Sequence, residues 1–318
     1  MSTHLKTAIV TGGCSGIGLG LVKHLLAKPN WKVVIADIRP EGYHAISSQL
    51  DTQRHIFVET DVTSWDQQAA LFKKAYAWSG NNQIDFVAAN AGTSERDHIT
   101  AGPWDLDGEP PKPDLSSAEV NLTGVFYGVR LFVYYARKTN RDLKASSGTD
   151  TPHATFNPKL VITSSCAGLY PFPLAPLYNA TKHGVLALTR AVSPLLATDN
   201  IAVNCICPAY VDTAMTPSGV TALWPPEYIT PISTMLRAYD ELTDERGRVD
   251  KSDGKSDGED GVVKAGQSVE CVVDRLFYRK PVDYADESQK FLIEETFKPD
   301  GVWIRGMTQD MAKANGSK

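Results

Sequence analysis

The sequence lacks the cysteine spacing of a metal or disulfide framework. Its five cysteines, Cys14, Cys166, Cys205, Cys207 and Cys271, are odd in number and contain no CxxC pair. Neither a zinc site nor a set of structural bridges is indicated, and no bound metal is expected. A reducing, cytoplasmic setting is the matching expectation. Cys205 and Cys207 alternate along an expected strand and are read as small core residues facing opposite ways. Long apolar runs are also missing, and none approaches the length that spans a bilayer. The first residues, Met1-Ser2-Thr3-His4-Leu5-Lys6, show no charged segment followed by an apolar one, so no signal peptide is expected. Basic charge is not in surplus: 32 Lys and Arg against 37 Asp and Glu leave −5 at pH 7. Without a basic stripe interleaved with aromatics, nucleic acid is not an expected partner.

What is present suits a soluble globular chain. Of 318 residues, 42% are hydrophobic and 22% charged, enough for a sizeable core. Short β-branched runs at 7–10, 31–37, 55–61, 84–89, 159–164 and 201–207 read as strands. Between them, apolar residues recur at helical spacing: Leu21, Val22, Leu25 and Leu26, then 65–78, 116–138 and 177–197. Alternation of strand and helix predicts an α/β fold, a doubly wound parallel sheet with helices on both faces. Residues 95–114, 140–158 and 244–264 break the rhythm. The last contains Lys-Ser-Asp-Gly twice in succession, from Lys251 and from Lys255, and is expected to be a mobile loop.

Thr11-Gly12-Gly13-Cys14-Ser15-Gly16-Ile17-Gly18 joins the first strand to the first helix. A pyrophosphate needs close backbone approach, which glycine gives, and aligned N–H donors, which a helix N-terminus gives. The pattern TGxxxGxG resembles the fingerprint of the short-chain dehydrogenase/reductase family, and the likeness runs from about Thr7 to Thr213. It implies a Rossmann-type fold and a nicotinamide cofactor held by Gly12, Cys14, Ser15, Gly16, Ile17 and Gly18. One domain is expected, with a core over about 5–215 and 265–271, a lid over about 214–243 and a C-terminal extension over about 274–318. Aromatics such as Phe291, Phe297 and Trp303 fall in that extension.

Asp37 closes the second strand. A carboxylate there accepts from ribose hydroxyls and repels a 2′-phosphate, which favours NAD over NADP, although Arg39 lies two residues on. The resemblance adds Ile38 beside it, Asp61 and Val62 at the adenine, and Asn90-Ala91-Gly92 where backbone passes the cofactor. Asn90 is also suited to tying neighbouring strands. After the sixth strand, Pro208, Val211 and Thr213 are implied contacts of the nicotinamide end. Ala209 stands where the family usually has glycine.

Tyr178 and Lys182 are four apart on a helix and share a face. A phenol ordinarily titrates near 10. A neighbouring ammonium is expected to lower that value and make Tyr178 a general acid/base. Ser165, thirteen residues before Tyr178, matches the family's substrate-binding serine, with Ser164 the alternative. Asn121 is an unfavourable helix-interior residue, and the resemblance implies a proton relay through it to Lys182. Ser165, Tyr178, Lys182 and Asn121 form the expected catalytic group.

Leu169-Tyr170-Pro171-Phe172-Pro173-Leu174 should wall the pocket, with Tyr210, Met215 and Trp224 on the lid side. An apolar wall suits a lipophilic or aromatic secondary alcohol or its ketone. Residues 164–191 are most similar to the branch related to 15-hydroxyprostaglandin dehydrogenase. The family resemblance also implies a homodimer or homotetramer. The rival expectation is a dinucleotide-binding sensor or non-redox catalyst, which has no need of a tyrosine beside a lysine.

Overall fold

The six expected strands form β1 (Lys6–Thr11), β2 (Trp31–Asp37), β3 (His55–Glu59), β4 (Phe86–Ala89), β5 (Lys159–Thr163) and β6 (Ala202–Pro208), and β7 (Ser268–Val272) and β8 (Arg275–Tyr278) follow. The structure, a computed structural model, describes residues 5–102, 104–148, 156–216, 218–296, 298 and 300–316. The opening residues 1–4, residues 149–155 of the polar stretch and Phe297 lie outside the described residues. The strands make one sheet in the order β3-β2-β1-β4-β5-β6-β7-β8. Every neighbouring pair is parallel except β7–β8.

The helices are α1 (Gly16–Leu26), α2 (Pro40–Ile46), α3 (Trp65–Trp78), α4 (Ser116–Ala118), α5 (Gly124–Ser147), α6 (Pro176–Leu196), α7 (Ser218–Leu223) and α8 (Ile232–Thr243). Strand alternation sends Ala8, Val10, Val33 and Ile35 to one face, where they meet Leu21 and Leu25 of α1 and Met235, Ala238 and Tyr239 of α8. Ile9 and Val34 go to the other face, against Leu71 and Phe72 of α3, Phe132 of α5 and Val185 of α6. Two apolar layers therefore sandwich a sheet buried on both sides, as parallel sheets require. The expected α/β doubly wound fold of Rossmann type is present.

The chain divides into two compact units, Met1–Arg279 and Lys280–Lys318. In the second, α9 (Glu287–Lys290) is capped by Asp286, whose side chain accepts from the Ser288 and Gln289 amides. A π-helical turn (Phe291–Glu295) and α10 (Val302–Gly316) follow.

Several expectations need correction. Residues 214–243 are not one lid. α7 is peripheral, but Met235, Ala238, Tyr239 and Leu242 of α8 are buried in the core. Residues 275–278, assigned to the extension, are the edge strand β8. The hairpin that returns them turns at Val273-Asp274, with Val273 at φ 51°, a conformation a β-branched residue rarely adopts, so Asp274 is the one turn signal there. The polar stretch from 140 is helical to Ser147 and stops where Gly148 adopts φ 68°. Cys205 and Cys207 face the same way, with Sγ atoms 3.8 Å apart. Residues two apart on a strand share a face, so the opposite-faces reading was wrong.

Residues 244–264, read as a mobile loop, are built around a lysine. Lys264 is 3% exposed, and its ammonium donates to the carbonyls of Gly247, Glu259 and Val262. Asp244 accepts from the Arg246 and Arg248 amides, and Ser256 donates to buried Glu241. Lys264→Met should strip three carbonyls of their donor and cost about 3 kcal/mol. A fall in the urea midpoint checks this; an unchanged midpoint contradicts it.

Candidate active site

Reversal of strand order between β1 and β4 opens a crevice beyond the carboxyl ends of the strands. That is where open α/β sheets take ligands. The glycine turn fills one side of it. Gly12 has φ 64°, and a Cβ there would meet Ala91 Cα at 3.0 Å. Gly16 has φ 51° and lies under Thr213, whose Cγ2 is 3.2 Å from where its Cβ would be. At Gly18 a Cβ would sit 2.1 Å from the Gly12 carbonyl oxygen. The turn therefore closes tightly on itself. Ser15 begins α1 without a side-chain cap, so the first-turn amides aim outward uncovered by it. Backbone of this shape at a helix N-terminus fits a dinucleotide pyrophosphate.

Asp37 is buried at the end of β2. Its Oδ2 accepts from the Cys14 amide at 3.1 Å and its Oδ1 from the Arg39 amide at 3.2 Å. The carboxylate is thus fixed to the glycine turn with lone pairs to spare, which fits ribose hydroxyls. Arg39 reaches across to the Ser15 hydroxyl at 3.3 Å. Burial, then the Asp37 charge, pushes the Cys14 thiol up to about 12, so it stays protonated. Ile38 is exposed on the rim.

Asp61 is committed locally, since its Oδ1 accepts from the Thr63 amide and hydroxyl. The Val62 carbonyl accepts from Gln68 Nε2 at 2.5 Å. Asn90 ties three strands as expected. Its amide and Nδ2 donate to Thr11, while its Oδ1 accepts from Thr163 at 3.3 Å. Pro208 ends β6, Val211 is buried and the Ala209 amide donates to the Cys271 carbonyl.

Four side chains draw together beyond the ends of β4 and β5. Asn121 lies in a π-helical turn (Glu119–Thr123) between α4 and α5 and is 1% exposed. Such turns often mark functional positions. Its Oδ1 accepts from the Thr93 amide and its Nδ2 donates to the Thr93 carbonyl, both at 2.9 Å. Lys182 Nζ donates to the Thr163 carbonyl at 2.9 Å. Asn121 Oδ1 and Lys182 Nζ lie 3.2 and 3.5 Å from the place a Cβ on Gly92 would occupy, so glycine keeps that space open. Ser165 caps the short turn Cys166–Gly168 by accepting from the Ala167 amide at 3.1 Å. Ser164 is buried and donates to the Lys182 carbonyl, which separates it from Ser165.

The electrostatics differ from the expectation. Burial pushes the Tyr178 phenol above its ordinary value, and the Ser165 hydroxyl beside it pulls it partly back. The Lys182 ammonium sits over the ring face, 5.4 Å from the centroid, and donates to the Thr163 carbonyl, so burial outweighs it at the phenol. Burial also lowers Lys182 itself to about 8.

Sequence reasoning missed Thr11, Thr93, Thr163 and Glu95. The Thr11 hydroxyl accepts from the Asn90 and Ala91 amides. Glu95 accepts from the Tyr178 amide at 2.9 Å. A threonine at a strand end is a readable signal; a carboxylate in a long irregular loop is not. Among the described residues no cluster of three or more His, Cys, Asp or Glu could hold a metal. No described helix is long and apolar enough to cross a membrane.

A nucleotide crevice with a serine, tyrosine, lysine and asparagine at its far end defines a class of dinucleotide-dependent enzymes. The chain matches the short chain dehydrogenase family model over residues 6–222 and belongs to the short-chain dehydrogenase/reductase family, oxidoreductases that act on CH–OH groups with a nicotinamide cofactor. It is 32% identical over 288 residues to short-chain dehydrogenase/reductase prx6 of Penicillium rubens, covering 87% of this chain and 86% of that one. It is 36% identical over 219 residues to the 5′-hydroxyaverantin dehydrogenase of Dothistroma septosporum, covering 66% and 68%. In fold it is similar to a 3-ketoacyl-(acyl-carrier-protein) reductase of Brucella melitensis complexed with NADH, with TM-score 0.65 and 20% identity over 86% of this chain and 99% of that one.

Proposed function

We propose that the protein interconverts a lipophilic or aromatic secondary alcohol and its ketone, using NAD in preference to NADP, with Tyr178 as the proton-transferring group. The Ser165 hydroxyl beside the Tyr178 phenol, with Lys182 against the ring, is the observation that carries this reading. A nicotinamide held by the glycine turn and Asp37 would supply or take up the hydride. Ser165 donates a hydrogen bond to the substrate oxygen and stabilises charge on it. Tyr178 gives its proton to that oxygen in reduction and takes it back in oxidation. Lys182 keeps a positive charge beneath the ring, and Asn121 holds Thr93 against the site. A protein that only sensed the dinucleotide would gain nothing from this group.

Buried Asp37, held against the glycine turn, supports NAD. Exposed Tyr170, Phe172 and Leu174 after Ser165, and Tyr210 stacked on Trp224 at 4.0 Å after β6, support a lipophilic or aromatic substrate. The relative named for 5′-hydroxyaverantin agrees with a hydroxylated substrate. Exposed Phe126 and Tyr134 on α5 and Leu195 on α6 support a homo-oligomer built on those helices.

Absorbance of reduced cofactor, followed over a panel of aromatic ketones and alcohols with each dinucleotide, tests the reading. Turnover with NADH should exceed that with NADPH by roughly tenfold or more, the scale of one charge-assisted contact. Equal rates would remove the Asp37 argument.

The pH dependence has a definite sign. The phenol is raised, so Tyr178 stays protonated through neutral pH; Lys182 is lowered to about 8, so it loses its charge early. Reduction, which needs both protons in place, should be level through neutral pH and fall above about pH 8. Oxidation, which needs the phenol deprotonated, should rise with pH. A kcat/KM for reduction that climbs from pH 8 to 10 contradicts these assignments.

A further inference from the structure

The two carboxylate oxygens of Glu95 are unequal. Oε2 accepts the amide proton of Tyr178, a first-turn donor of α6, at 2.9 Å. Oε1 is buried and has no hydrogen-bond partner among the described residues. Native proteins leave few buried polar atoms unpaired, and each such atom calls for a reason. The loop that carries Glu95 is fixed on both sides. Asn121 holds Thr93 before it, and His98 Nε2 meets the Pro173 carbonyl after it at 3.0 Å. Glu95 is therefore held between the end of β4 and the segment 169–174, on the helix that bears Tyr178. Its neighbours Ser94, Arg96 and Asp97 are exposed, so Glu95 lies just beneath the surface and not in the core.

We propose that Glu95 is a specificity-determining residue: Oε1 accepts a hydrogen bond from a hydroxyl of the substrate other than the one that reacts. The preferred substrates are then hydroxylated ketones and their diols, a refinement that rests on the alcohol–ketone reading above. A neutral hydroxyl fits better than a cation, because the N-terminus of α6 already sets partial positive charge against this carboxylate.

The experiment measures kcat/KM for 2-, 3- and 4-hydroxyacetophenone and for their methyl ethers, with the wild type and with Glu95→Gln. Glutamine can still accept from the Tyr178 amide but can present an NH₂ donor in place of the free oxygen. The wild type should favour at least one hydroxyl isomer over its ether by roughly 10- to 100-fold. In Glu95→Gln that ratio should collapse or invert. Melting and cofactor titration establish that the variant is folded. Should it not fold, the wild-type ratio alone decides, because ratios near one for all three pairs overturn the proposal. An undiminished ratio in the folded variant, or an equal loss for every ketone, also overturns it, the latter marking Glu95 as a support for Tyr178 alone. If the wild type reduces none of the six ketones with either dinucleotide, the aromatic-ketone reading itself fails.

Discussion

Tyr178→Phe is expected to lower turnover by at least ~10²–10⁴-fold, the usual worth of a positioned general acid. Dinucleotide affinity should stay within about twofold, since the phenol oxygen carries the proton step and its loss leaves the glycine turn and Asp37 intact. The ring stays, and with it the surface over which Lys182 lies. Steady-state kinetics with a fluorescence titration of reduced cofactor separate the two effects. Surviving turnover would mean that another group moves the proton. The half-buried Ser165, already accepting from the Ala167 amide, would then be the residue to examine.

Gly18→Ala should have the other large effect. Its Cβ would fall 2.1 Å from the Gly12 carbonyl oxygen and 2.7 Å from Asn90 Nδ2. Both neighbours are fixed, the first by backbone and the second by its bond to Thr11. Relief requires opening the turn, at about 3 kcal/mol of overpacking, and an opened turn no longer presents its amides to a pyrophosphate. A lowered melting temperature and lost dinucleotide binding are expected together. Gly219→Ala, where nothing lies within 4 Å of the added carbon, is the matched control and should change neither. Normal binding by Gly18→Ala would show that the turn is not the pyrophosphate seat.

Legibility of this chain follows the range of each signal. The six expected strands and the glycine turn were readable because their residues are consecutive and their chemistry is local. So were Asn90 and the spacing of Ser165, Tyr178 and Lys182. The core role of α8 was also readable: Met235, Ala238, Tyr239 and Leu242 recur at the spacing of one helical face. The cysteine pair needed only the strand period applied correctly. Other features depend on contacts across the chain. The hairpin at Val273-Asp274 is only weakly announced, because its first residue is a β-branched valine at positive φ. The repeated Lys-Ser-Asp-Gly suggested mobility, whereas Lys264 beyond the repeat and the pairs Arg237–Asp253 and Ser256–Glu241 within it tie the segment down. Spacing of four puts Lys182 on the face of Tyr178, yet it cannot say whether the ammonium meets the oxygen or the ring. Burial of the phenol, which sets the direction of its shift, is likewise a product of tertiary packing. Glu95 enters through tertiary folding alone, from a loop 83 residues upstream of the amide it caps.

The most direct test is a crystal structure with a nicotinamide dinucleotide bound. The pyrophosphate should rest on the amides at the start of α1, the ribose against Asp37, and the nicotinamide beside the Tyr178 oxygen and Ser165. Dinucleotide seated elsewhere, or a Tyr178 turned away from the ring into solvent, would contradict the account.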